Sequence, residues 1–137
     1  MSEFIVKDEM FSMLLDACSE AATEFEEDRR DHDGLSYVQI AVFARHIIRL
    51  FEGGKTESFP EIFSTVERLI VKGDEEVQGL AIVGFLESLQ NNASWTDSGL
   101  RVYEKWLGSR SLKAWKDLER LWDGKHSLAE VIRDVKA

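Results

Sequence analysis

Cysteine is nearly absent from the 137 residues. Cys18 stands alone, which excludes an internal disulfide and any cysteine-rich zinc site. Histidine is scarce as well, with three residues scattered at positions 32, 46 and 126, so neither a Ser-His-Asp nor a Cys-His set is marked out. Long apolar runs are missing. The longest, Leu80 to Leu86, has seven residues, against the roughly 20 needed to cross a bilayer. Residues 2–7 carry no basic segment leading into a long apolar one, so no secretory signal is expected and a cytoplasmic location is. One proline and nine glycines are too few for a repetitive or disordered chain.

Positive charge is also in deficit, with 17 bases against 26 acids and a net charge of −9. The imbalance is concentrated at the front: residues 1–35 carry −8, residues 36–97 carry −4 and residues 98–137 carry +3. A dominant basic face is the usual source of nucleic-acid affinity, and none is visible. The acidic front suits a basic protein partner reached by electrostatic steering, or else it serves solubility alone.

What is present is helical periodicity. A chain of this length fits one domain, residues 1–137, burying about two-thirds of its unfolded surface. Met10, Phe11, Leu14, Cys18, Ala21, Ala22 and Phe25 recur at helical spacing and predict a first helix over 8–25. Glu26 to Gly34 has no apolar side chain and reads as a solvated loop or helix end. Asp31, Asp33 and Gly34 resemble part of a calcium loop, but Arg29 and Ile40 occupy the first and twelfth ligand positions, so no metal is expected.

Ser36 with Gln39 predicts a capping box, and Leu35 with Ile40 a hydrophobic staple, at the start of a second helix ended by Gly53-Gly54. Its buried face holds Ile40, Phe43, Ala44, Ile47, Leu50 and Phe51, with Arg45, His46 and Arg49 mostly outside it. Ser58 and Glu61 make a second capping pair, followed by the stripe Ile62, Phe63, Val66, Leu69 and Ile70 and a stop at Gly73.

The centre of the chain is residues 74–92. Asp74 is a good N-cap, and the apolar residues wrap nearly the whole circumference, which marks a buried helix. A buried strand through Ile82, Val83 and Phe85 is the competing reading, and the capped start favours helix. Glu76, Glu87 and Gln90 form the remaining polar strip. Gly79 and Gly84, each unfavourable by roughly 1 kcal/mol in a helix, are tolerable where a neighbour approaches closely. After a polar break at 91–96, helices are predicted over 97–107, over 109–122 and from Ser127 onward. The fold class is therefore all-α: about seven helices in a HEAT-like or orthogonal bundle around residues 74–92.

No constellation points to catalysis. Gly53-Gly54-Lys55-Thr56 lacks the upstream glycine of a phosphate loop, and a helix precedes it where a strand belongs. All four tryptophans lie after residue 94, beside Arg101, Lys105, Arg110, Lys113, Lys116 and Arg120, an interleaving that single-stranded nucleic acid can use. Trp106, Trp115 and Trp122 nevertheless sit on apolar stripes, and the expectation is core packing. Trp95, in a break, either stands exposed as an interface anchor or folds back over the core.

The run Leu80 to Asn91 resembles a pattern in small bacterial all-helical proteins of unknown function, some of them similar to immunity proteins of toxin systems. The resemblance implies an inhibitor role and transfers no catalytic or binding residue. The resulting expectation is a protein-binding module without cofactor, metal, nucleic acid or membrane: an immunity protein neutralising a basic toxin domain, as monomer or homodimer. A structural or regulatory adaptor is the alternative, and an enzyme is not expected. The candidate contact residues are Glu24, Glu26, Glu27, Asp28, Asp31, Asp33 and Trp95.

Overall fold

The computed structural model describes residues 4–19, 22–31 and 34–122. Seven α-helices run through them: α1 (Lys7–Ala17), α2 (Ala22–Asp31), α3 (Ser36–Glu52), α4 (Phe59–Lys72), α5 (Glu75–Gly79), α6 (Glu87–Ala93) and α7 (Ser109–Trp122). A π-helical segment, Leu80–Leu86, joins α5 to α6 without a break, and a 3-10 segment, Arg101–Trp106, precedes α7. Among the described residues the only strand-like pairing is a single bridge between Ile5 and Gly73, so the fold is all-α. The helix expected from Ser127 lies outside the described residues.

The continuous rod from Glu75 to Ala93 is the buried centre. Asp74 caps it as its sequence position requires, the carboxylate accepting from the Val77 N–H at 2.9 Å. Leu80, Ala81, Ile82, Phe85, Leu86 and Leu89 are all buried, because α3, α4 and α7 surround the rod. The glycine at 84 is needed by α3: a Cβ there would collide with the Ile40 methyl group, and Tyr37 lies just beyond it. The wider i→i+5 turn of the π segment runs through this point of close approach.

Two aromatic groups fill the core and meet at the rod. Phe11, Phe25 and Phe43 form one, with Phe25 edge-on to Phe43 at 5.1 Å. Phe51, Phe59, Phe63, Tyr103 and Trp106 form the other, with Phe59 edge-on to Trp106 at 4.8 Å. Phe85 links them, 5.9 Å from Phe43 and 6.1 Å from Phe63. Such edge-to-face pairs each contribute about 0.5–1.5 kcal/mol beyond their area burial.

Several local expectations are corrected. The first helix does not continue to Phe25. It ends at Ala17, where Cys18 leaves the helical region at φ −122° and ψ 67°. The reason is tertiary: α1 packs on α4 and α5 while α2 packs on α3, so one straight helix cannot satisfy both. Of the two readings of the charged stretch after Phe25, helix end is the one found as far as Asp31, and Phe25 pins that helix to the core. Neither Ser36 nor Ser58 caps its helix through the side chain. Helix α3 starts at Ser36 with Leu35 in the N-cap position, and Leu35 is left exposed rather than stapled. Gln90 belongs to the core, not to the polar strip: it is buried, and its amide donates to the Trp115 carbonyl at 2.9 Å. The helix expected over 97–107 is only the short 3-10 segment.

Candidate functional site

Cys18 is fully buried, in keeping with a packing role. His46 departs from its expected place outside the buried face. It is 2% exposed, edge-on to Phe25 at 6.3 Å, and Arg49 Nη2 lies 3.1 Å from Nδ1. A guanidinium has only donors, so the imidazole accepts there. Among the described residues, no group of three or more His, Cys, Asp or Glu side chains could hold a metal ion. None of the helices described is long and apolar enough to cross a membrane.

The expected contact residues fall in two places. Glu26, Glu27 and Asp31 lie on α2. Glu27 and Asp31 are exposed and Glu26 is half-buried, with Phe25 turned inward from among them. Glu24 and Asp28 belong to the same helix, but their side chains, and Asp33 altogether, lie outside the described residues. Trp95 stands apart from this group, just beyond the end of α6, and is 86% exposed. It sits on an ordered turn. Its N–H donates to the Asn92 carbonyl at 3.2 Å, Ser94 Oγ donates to Asn91 O at 2.7 Å, and Thr96 Oγ1 donates to Ala93 O at 2.7 Å. Gly99, at φ +74°, takes the left-handed conformation that returns the chain toward Arg101. No side-chain hydrogen bond, ion pair or ring contact joins Trp95 to α2 among the described residues.

The basic residues near α7 are largely engaged within the molecule. Lys113 lies 2.8 Å and Arg120 3.1 Å from the two oxygens of the buried Asp117. Lys116 and Arg101 each lie 3.3 Å from Glu104, and Arg101 also faces Glu119 at 3.8 Å. Lys105 Nζ sits 4.5 Å from the centre of the Trp106 ring. Trp115 is buried, as its stripe predicts, although its indole N–H meets no acceptor among the described residues.

Two features escape a reading of the sequence. The first is Glu67, half-buried on α4, whose carboxylate caps α7 from another helix. Its oxygens accept the backbone N–H groups of Arg110 at 3.1 Å and Ser111 at 2.8 Å, and the Ser111 hydroxyl at 2.8 Å. Gly108 allows this contact, since a Cβ there would sit 2.6 Å from the carboxylate carbon. The second is a cleft of about 260 Å³ between α3 and α6, lined by Arg45, Ile48, Arg49 and Asn92. The i,i+4 spacing of the arginines is legible in the sequence; their convergence with an asparagine 43 residues beyond Arg49 is not.

Burial holds the Glu87 carboxyl above the usual carboxylate range. The Tyr103 hydroxyl is pushed up to about 12, first by burial and then by the negative charge of Glu52. Neither group is placed with a partner suited to acid–base catalysis among the described residues.

No curated protein and no solved structure matches the chain. One family does, described as Domain of unknown function (DUF7674), and its match covers residues 11–123. That span runs from within α1 to just past α7, and the chain therefore belongs to the DUF7674 family.

Proposed function

We propose that this domain is a non-catalytic protein-binding module. The observation that carries the reading is Trp95: a full indole held in solvent on a hydrogen-bonded turn. Tryptophan leads the residue types that dominate interface energetics, and a rigid turn lowers the entropy lost on docking. The acids of α2 supply the second element, a negative surface that steers a basic partner. The engagement of the α7 cations by carboxylates supports a protein rather than a nucleic acid as that partner.

In its most concrete form, the module is a cytoplasmic bacterial immunity protein that neutralises a basic toxin domain by stoichiometric binding. The test is titration calorimetry against the product of the neighbouring gene. Tight one-to-one binding is expected, with Trp95→Ala weakening it at least 30-fold, about 2 kcal/mol. Glu27→Lys with Asp31→Lys should slow association and flatten its salt dependence. Absence of binding, or binding indifferent to both variants, eliminates the reading. A structural or regulatory adaptor is the second reading, favoured by the exposed Leu35, Tyr37 and Val38 at the start of α3. A stable homodimer in sedimentation that survives Trp95→Ala would select it.

A further inference from the structure

We infer that Arg45 and Arg49 of α3, together with Asn92 of α6, form a binding site for a phosphate group. The inference is independent of the protein-binding reading. It starts from a contrast in charge. Lys113, Lys116 and Arg120 on α7 face carboxylates, whereas neither Arg45 nor Arg49 has an ion-pair partner among the described residues. Both are exposed, they are one helical turn apart on the same side of α3, and they line the same cleft. Two like charges at that spacing repel each other. Such a pair is most stable when an anion lies between the two heads.

The helix dipole explains only one of them. Arg49 is in the last turn of α3, where a cation is favourable, but Arg45 is nearly two turns from Glu52, beyond the reach of that effect. Arg49 Nη2 lies 3.1 Å from Nδ1 and 3.4 Å from Nε2 of the buried His46 ring, a contact that tethers one end of the guanidinium and engages only one of its nitrogens. Asn92 donates one amide hydrogen to Ser88 O at 2.8 Å and retains a second donor. Ile48, largely buried, adds an apolar surface to the lining.

Size and charge select the ligand class. About 260 Å³ is below the roughly 300–1,000 Å³ of sites that hold drug-sized molecules, so the cleft itself takes a group of phosphate size. Two positive charges with an amide match a dianion that has several acceptor oxygens. A single carboxylate is satisfied by one arginine fork and would leave the other charge unanswered.

The experiment follows the side-chain Nε–H signals of Arg45 and Arg49 by NMR in the full chain at constant ionic strength. The probes are inorganic phosphate, glycerol 2-phosphate, acetate and chloride. Saturable shifts at both arginines with phosphate are expected, at millimolar concentration, with acetate at least tenfold weaker. Binding of inorganic phosphate alone assigns a free-phosphate site; equal binding of glycerol 2-phosphate assigns a phosphate-monoester site. Arg45→Gln leaves the His46 contact intact and should weaken binding at least tenfold with the thermal midpoint unchanged. Phosphate shifts no larger than those with chloride or acetate overturn the inference. So does unchanged phosphate binding in Arg45→Gln.

Discussion

On α7, Lys113, Lys116 and Arg120 each lie 2.8–3.3 Å from a carboxylate, whereas on α3 Arg45 and Arg49 have no ion-pair partner among the described residues. Counting charges along the chain points the wrong way here. Residues 98–137 are the net positive part of the sequence, yet Arg101, Lys113, Lys116 and Arg120 there are spent on Glu104, Asp117 and Glu119. Residues 36–97 are net negative, yet they carry the two arginines that open on a cleft. Charge in the back of the molecule is structural, holding α7 and the 3-10 segment in place. In the front, Glu27 and Asp31 on α2 and Arg45 and Arg49 on α3 are exposed.

The largest expected effect tests the structural half of that contrast. Glu67→Ala removes the acceptor for the Arg110 and Ser111 N–H groups and for the Ser111 hydroxyl, and Ser111 is fully buried. Leaving buried donors unsatisfied costs about 1–3 kcal/mol per group, so a loss of roughly 2–4 kcal/mol is expected in urea unfolding. Glu67→Gln keeps one acceptor oxygen and should lie between Ala and the wild type. A loss under ~0.5 kcal/mol for Glu67→Ala would break the comparison, because α7 would then be held without its carboxylate cap.

A smaller effect is expected at alkaline pH. Tyr103 is buried in the aromatic group with Phe51 and Phe59, near Glu52, and its hydroxyl is held at about 12 against 10 in the unfolded chain. The folded state thus favours the neutral phenol. Its contribution is intact below pH 10 and is lost as pH rises toward 12, where the unfolded chain ionises first. The loss is about 2–3 kcal/mol, and it should be absent in Tyr103→Phe. Equal alkaline loss in the variant would show that the back of the core tolerates an unpaired charge.

The smallest effect sharpens the contrast at the rod between the two regions. Glu87 is half-buried and, among the described residues, no cation lies within ion-pair distance of it. Burial raises its ionisation point, so the charged form disfavours the folded state above that point and the penalty disappears as pH falls through it. Glu87→Gln should therefore raise the thermal midpoint at pH 7, with the difference shrinking on acidification. A difference independent of pH would assign the effect to packing instead.

Most of the core is legible in the sequence, because helical periodicity is a local property. Ile62, Phe63, Val66, Leu69 and Ile70 are buried on α4, and Met10, Phe11 and Leu14 on α1, where their spacing places them. Asp74 caps α5 through a contact three residues away. Ser36 and Ser58 carry the same kind of signal and fail to cap, since the pattern states only that a side chain can reach. The place of Trp95 in a polar break leaves it free to stand out or to fold back, and the structure decides for the outward position. Glu67 is not, because its partners lie 43 and 44 residues away.

The sequence by itself determined the class of the fold, the identity of the buried rod at 74–92 and the excess of negative charge at the front. Each follows from the spacing of residues along one helix or from their number. Only the tertiary structure decided that α1 and α2 part at Cys18, that His46 faces Phe25, that Gln90 answers the Trp115 carbonyl, and which cations are neutralised. The reason is common to all four. Each depends on which helices become neighbours, and that choice is made by packing whole apolar faces together rather than by any one residue's preference.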